Sequence, residues 1–227
     1  RTIDDPHRGL TMVLVDTLEA RRNDMLTIPQ DLDKMGLHSS PTTSLVFQNC
    51  RVPLSNVLGK IGHGFRQATA TLTGSRPFIG AQGVGLAQAA LDCALAHVAM
   101  REQFGKKLIE LHAVQHELAE MEVMIQAARL LVYKAAHAVD TTPVEEREEI
   151  MGVASTAKLY AARVATFCAL KSLILHGGMG FMAGSRISAI YQDVPVLHVY
   201  EGTENIQLGI AARQLLKPFG VKVRFDS

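Results

Sequence analysis

Gly59-Lys60-Ile61-Gly62-His63-Gly64 puts three glycines into six residues, and the chain changes character across them. Upstream the pattern reads as β. Leu10-Thr11-Met12-Val13-Leu14-Val15 and Ser44-Leu45-Val46-Phe47 are strand-like runs, the second followed by Arg51-Val52-Pro53. Turn formers separate them: Asp4-Asp5-Pro6, Arg22-Asn23-Asp24, Asp31-Leu32-Asp33 and Ser39-Ser40-Pro41. Residues 1–58 are too few and too open for a complete sheet domain. The expectation is part of a small β-domain whose other strands precede Arg1. Downstream, from Phe65 to about Ala99, Leu72, Phe78-Ile79, Ala87, Leu91 and Leu95 recur at helical spacing. Gly80, Gly83 and Gly85 would each weaken an isolated helix by about 1 kcal/mol relative to Ala. Their presence implies close helix packing, or a ligand, on that face.

Further helices follow. Arg101-Glu102-Gln103-Phe104-Gly105-Lys106 breaks the first. A second is expected from about His112 to Val139, ended by Asp140-Thr141-Thr142-Pro143. Thr142, Pro143 and Glu145 have the spacing of a capping box and predict a third helix over Val144 to Leu175. His176-Gly177-Gly178-Met179-Gly180-Phe181 stops that one. A shorter helix is expected over Ile187 to Asp193, and a last one to Leu216 after Gly202. The predicted fold is mainly α: a four-helix-bundle-like C-terminal domain over residues 59–227, preceded by a partial β-domain over residues 1–58.

Composition excludes several classes. Apolar residues are 48% of the 227, enough for a sizeable core, and Lys+Arg 23 against Asp+Glu 22 leaves a net charge of +1. That balance gives no reason to expect nucleic acid or an anionic membrane surface. Cys50, Cys93 and Cys168 lie far apart without a CxxC, and read as buried thiols in a reducing compartment. No segment reads as long and apolar enough to span a bilayer, and no signal peptide opens the chain. His112 and His116 are spaced i,i+4 without a third ligand type nearby, so no metal site is expected.

The chemistry concentrates near the C-terminus, in Tyr200-Glu201-Gly202-Thr203-Glu204-Asn205-Ile206-Gln207. A base that takes a proton from carbon must be positioned and desolvated. Glu201 has an apolar run before it, a glycine after it that lets a ligand near the backbone, and a helix start beyond. Spacing alone leaves a second reading open, a carboxylate that merely favours a helix N-terminus. Arg101-Glu102-Gln103-Phe104-Gly105 is either turn chemistry or a phosphate-binding loop. His176-Gly177-Gly178-Met179-Gly180 follows a helix and lacks the dinucleotide spacing, so it reads as a helix stop, with backbone open to a ligand as the other reading. Arg76, in an apolar helix, either snorkels or contacts an anion. Glu145-Glu146-Arg147-Glu148-Glu149 reads as a solvated first helical turn.

In order, Lys34-Met35-Gly36-Leu37, Val52-Pro53, Gly83-Val84-Gly85-Leu86-Ala87, Arg101-Glu102-Gln103-Phe104-Gly105, Gly177-Gly178-Met179-Gly180-Phe181 and Tyr200-Glu201-Gly202-Thr203 resemble the acyl-CoA dehydrogenase family. The resemblance runs over essentially the whole chain and corresponds to the second half of the family's middle β-domain plus its C-terminal helical domain. It implies an FAD-dependent enzyme that removes the α-proton of an acyl-CoA with a glutamate while the β-hydride goes to flavin N5. By match, Glu201 is that base. Gly202, Ser75 and Arg76 line the acyl-CoA site. Thr203, Glu204 and Asn205 touch FAD. Arg101, Gln103, Phe104 and His112, with Gly177 and Gly178, belong to the FAD-binding set, the loop usually serving a neighbouring subunit. Thr73-Gly74-Ser75-Arg76 carries no carboxylate where some branches place the base. Leu111-His112 and Ile174 depart from the aromatic-Gln pair and the glutamine usual at those positions. The resemblance further implies an electron-transfer flavoprotein as acceptor, a homodimer or homotetramer, and a bacterial cytoplasm or mitochondrial matrix as location. The rivals it leaves are an acyl-CoA oxidase using oxygen, and a non-catalytic fragment that completes another chain's site.

Overall fold

The computed structural model describes residues 9–221. They fall into two compact units, residues 1–71 and 72–227, divided within a long helix.

The first unit holds less β-structure than its composition predicts. Asp4-Asp5-Pro6 lies outside the described residues. Leu10–Val15 is not a strand of a sheet. It forms a single antiparallel bridge, Val13 to Val57, flanked by Leu14 N donating to the Asn56 carbonyl and Leu58 N to that of Met12. Helix α1, Thr17–Arg22, follows at once. The Asp16 carboxylate sets its start, accepting from the amides of Leu18 (2.9 Å) and Glu19 (3.0 Å). This is side-chain capping of otherwise orphaned N–H groups, and it wins over local strand propensity. Strands β1, Leu26–Thr27, and β2, Val46–Phe47, pair antiparallel with Leu26 opposite Phe47. Strand-like runs extend only where a neighbour completes the ladder.

Helix α2, Gly64–Met100, begins at the last of the opening glycines. A Cβ on Gly64 would stand 2.9 Å from the Leu10 carbonyl oxygen, so only glycine fits there. By length and composition α2 is long and apolar enough to cross a bilayer, contrary to the sequence expectation. A core helix passes the same test, and α2 has a core face: Thr73, Arg76, Val84, Ala87, Leu91, Ala94 and Val98 are buried.

In the second unit α2 is followed by a hairpin of β3, Glu102–Gln103, and β4, Lys106–Lys107, and then by α3, His112–Thr141. Helix α4, Met151–Leu175, is the hub, packing against α3 and, later in the chain, α6, Arg186–Asp193, and α7, Glu204–Leu216. It is buried on most sides through small residues: Ala154, Ala157, Ala161, Ala162, Ala165 and Ala169. Small side chains let axes approach, and the α2 glycines answer them. A Cβ on Gly83 would lie 3.0 Å from the Ala161 carbonyl oxygen, and one on Gly80 2.8 Å from Val132, whereas Gly85 faces open space. Met121, Ile125 and Ala128 of α3 and Ile187 of α6 fill the remaining core. The sequence motif Gly177–Phe181 contains a one-turn helix, α5, Gly178–Phe181.

The third helix does not start where the capping pattern placed it. Val144–Glu146 is a 3₁₀ turn whose N-cap is Pro143 without a side-chain hydrogen bond, Thr142 is the C-cap of α3, and α4 begins only at Met151. Four glutamates within 145–149 would repel one another at i,i+3 and i,i+4 in an α-helical turn. Glu145, Glu146, Glu148 and Glu149 are exposed as expected, but Arg147 is half-buried, its guanidinium against Gly74 of α2.

Candidate active site

Glu201 sits two residues before Thr203, the N-cap of α7. The first-turn acid of α7 is Glu204, so the Glu201 carboxylate is not there to complement that helix end. Instead Ser75 Oγ of α2 donates to Glu201 Oε2 at 2.6 Å. The backbone here is unusual. Glu201 has φ +56° and Gly202 φ +100°. A left-handed non-glycine residue costs on the order of 1–3 kcal/mol and persists only where its surroundings hold it.

Side chains from three helices supply that hold. Arg76 of α2 donates from Nε to the Glu201 carbonyl at 3.3 Å and from Nη1 to Ser155 Oγ of α4 at 3.3 Å. Gln207 Nε2 of α7 donates to the carbonyls of Glu201 and Gly202, both at 3.0 Å. Lys158 Nζ of α4 donates to the Gly202 carbonyl at 2.8 Å. Arg76 is 5% exposed, so it does not snorkel; it reaches a backbone carbonyl. Lys158 is 1% exposed. Burial first, then nearby Arg76, lowers the Lys158 pKa from its ordinary range to about 8, with Glu201 and Glu204 opposing the fall. Burial also lowers the pKa of Arg76, against the attraction of Glu201.

The flanks are tied down as well. The Tyr200 hydroxyl donates to Gln82 of α2, and burial raises its pKa. Both oxygens of the Glu204 carboxylate are occupied, one by Arg163 and the other by His198 Nδ1 at 3.0 Å. Bonding to Arg163 keeps the Glu204 pKa below the usual carboxylate range. The other face of His198 meets Thr166 Oγ1 at 2.7 Å. Thr203 and Asn205 are exposed beside this cluster.

The remaining expected site residues gather at the other end of the bundle. Between Arg76 and the end of α2 the helix advances roughly 35 Å, at ~1.5 Å per residue. There Phe104 (φ +55°) and Gly105 (φ +75°) form the two-residue turn of the β3–β4 hairpin. Positive φ at both positions suits a hairpin twist, although Phe104 pays for it and is 86% exposed. Arg101, Gln103 and His112 are also exposed. The His97 ring stacks on His176 at 4.3 Å, which joins the Gly177–Gly178 turn to this end. Burial, then His176 and Arg101, lowers the His97 pKa. Gly177 (φ +59°) and Gly178 face open space. Among the described residues no group of three or more His, Cys, Asp or Glu side chains is placed to hold a metal.

Sequence reasoning missed Lys158, Ser155, Gln207, Gln82 and the Arg163–His198–Glu204 cluster. Lys158 had a signal, a lone cation within Ala154-Ser155-Thr156-Ala157-Lys158-Leu159-Tyr160-Ala161. Gln207 had none, because its partners are backbone atoms that the turn alone brings near.

The profile of the acyl-CoA dehydrogenase C-terminal domain matches residues 62–216. A probable acyl-CoA dehydrogenase of Mycobacterium tuberculosis, FadE25, is 38% identical over 216 residues, 95% of this chain and 54% of its own. The mitochondrial short/branched chain specific acyl-CoA dehydrogenase of Rattus norvegicus is 37% identical over 215 residues, 94% of this chain and 48% of its own. The structure of butyryl-CoA dehydrogenase from Megasphaera elsdenii superposes with a TM-score of 0.85 at 34% identity, covering 92% of this chain and 52% of that one. The chain belongs to the acyl-CoA dehydrogenase family. It spans about half the length of the curated relatives it matches.

Proposed function

We propose that this chain supplies the base of an FAD-dependent acyl-CoA dehydrogenase, with Glu201 removing the α-proton of an acyl-CoA thioester. The observation that carries the reading is the clamped left-handed backbone at Glu201, with the carboxylate aimed by Ser75. A strained residue held by surrounding donors is what a positioned base requires. The Glu201 backbone N–H is suited to polarise the thioester carbonyl, which acidifies the α-proton. Gly202 has no side chain to obstruct the acyl group, and Ser75 and Arg76 form the wall behind it. Bound FAD supplies the acceptor for the β-hydride.

The open backbone of Gly177 and Gly178 and the exposed Arg101 and Gln103 suit the phosphate-bearing part of such a cofactor, with Phe104 and His112 beside them. Thr203, Asn205 and the backbone of Glu204 suit its contact near the base, since the Glu204 carboxylate is engaged. The two sets lie at opposite ends of the bundle, roughly 35 Å apart along α2 at ~1.5 Å per residue. The reading therefore includes a homodimer or homotetramer in which one chain's hairpin serves another chain's base. It also includes residues 1–58 as part of a β-domain and 59–227 as the helical domain, an electron-transfer flavoprotein as acceptor, and a bacterial cytoplasm or mitochondrial matrix as location.

The test is anaerobic titration of the flavin-loaded protein with butyryl-CoA and longer or branched acyl-CoAs, followed by air. Bleaching that persists in air and is relieved by an electron-transfer flavoprotein is expected. Fast reoxidation with stoichiometric peroxide would make the protein an oxidase, and protein that takes up no flavin would overturn the reading.

A further inference from the structure

Two consecutive carbonyls, those of Glu201 and Gly202, receive four hydrogen bonds from buried side chains. Two of the three donor residues have an evident structural task. Arg76 also binds Ser155, and Gln207 bridges both carbonyls from within α7. Lys158 is different. Its one hydrogen bond is to Gly202, and it stands on the alanine-lined hub helix among Ala154, Ala157, Ala161 and Ala162. An apolar side chain of the same length would pack there without the cost of burying an amine. The Gly202 carbonyl would keep its bond from Gln207. Packing alone therefore does not account for a lysine. The charged groups facing the ammonium are Arg76, Glu201 and Glu204, two of them carboxylates on the segment it holds.

We infer that Lys158 is a positioning residue that fixes the left-handed Glu201–Gly202 turn through the Gly202 carbonyl and so aims the Glu201 carboxylate. This rests on the functional reading above for its catalytic consequence, but not for its structural one. A turn held from the Gly202 side cannot relax toward ordinary right-handed backbone, a change that would swing the Glu201 side chain away from Ser75. The ammonium acts on geometry and does not touch the reacting atoms.

The experiment compares Lys158→Met and Lys158→Arg with wild type in the flavin-loaded oligomer. Amide exchange is followed over residues 199–207, alongside steady-state turnover of the best acyl-CoA. For Lys158→Met, exchange of that segment should quicken at least about tenfold while α4 stays protected. Its kcat should fall about 10- to 100-fold with KM within about twofold, the signature of lost aim without lost binding. Lys158→Arg, which keeps a donor, should recover most of both. Unchanged exchange, or kcat within about twofold of wild type, overturns the inference. Faster exchange spread evenly over α4 and α7 makes Lys158 a folding residue and overturns it equally. So does a Lys158→Arg protein that regains protection but stays as slow as Lys158→Met. If the wild type takes no electrons from any acyl-CoA, the functional reading fails, while the exchange arm still decides whether Lys158 holds the turn.

Discussion

Among the described residues the same local device occurs twice. At one end of the bundle Glu201–Gly202 is left-handed at both residues; at the other, Phe104–Gly105 is too. The surroundings differ completely. Glu201–Gly202 is gripped by Arg76, Lys158 and Gln207, and its side chain by Ser75. Phe104–Gly105 caps an exposed hairpin with nothing within 4 Å of a Cβ on Gly105. The first turn is organised by its own chain and suits chemistry. The second displays an aromatic ring to whatever arrives and suits binding.

The largest effect that would break this contrast is at Glu201. Glu201→Gln keeps shape and the Ser75 contact but cannot take a proton, so flavin bleaching by acyl-CoA should slow about 10²- to 10⁴-fold. Bleaching within tenfold of wild type would remove Glu201 as the base. Gly202→Ala and Gly105→Ala then sharpen the comparison. Both impose a methyl group on left-handed backbone, but a Cβ on Gly202 would meet Gln207 Nε2 at 2.6 Å, whereas one on Gly105 meets nothing. Denaturant unfolding should show a loss of about 1 kcal/mol at Gly105 and about 2–3 kcal/mol at Gly202. Equal losses would mean that the clamp is slack.

The pH dependence of Lys158 has a definite sign. Its pKa is about 8 in the folded chain against 10.5 for an ordinary lysine. Between these values the unfolded chain binds more protons, so folding stability rises with pH from about 8 to about 10.5. Below pH 8 the burial cost is fully present, on the order of 3 kcal/mol. Relative to Lys158→Met, wild type should gain stability on going from pH 7 to pH 10. A constant difference would show that burial leaves the Lys158 pKa where an ordinary lysine has it. The smallest effect is expected at the hairpin. Phe104→Gly should leave stability within about 0.5 kcal/mol yet loosen flavin retention. A stability loss well beyond that would show the ring packed on its own chain.

Much of the helical unit was legible. The small and apolar residues of α2, α3 and α4 recur at helical spacing, and Gly80 and Gly83 announced a close crossing that the Ala161 carbonyl now explains. Legibility failed where a local signal had a stronger rival. Leu10–Val15 has strand propensity but little to pair with, and Asp16 caps a helix directly after it. Thr142-Pro143-Val144-Glu145 has capping-box spacing, yet the glutamates behind it do not continue as α-helix. Within the candidate site, Glu201 and Gly202 stood out because a glycine beside an acid near a helix start is a local pattern. Lys158 and Gln207 did not, because what they bind is backbone.

The sequence by itself determined the helical class, the order of the helices, the family and the residue to regard as a base. The class and order follow from periodicity, and the family and the candidate base from a resemblance carried by short motifs, which are properties of neighbours along the chain. Only the tertiary structure decided that Glu201 is left-handed, that a serine bonds its carboxylate, and that an arginine, a lysine and a glutamine from three helices hold its turn. It also decided that the expected site residues form two groups at opposite ends of one bundle. The reason is physical: a hydrogen bond from Lys158 to the Gly202 carbonyl is set by how α4 packs under the turn, and no spacing between residues 158 and 202 encodes it.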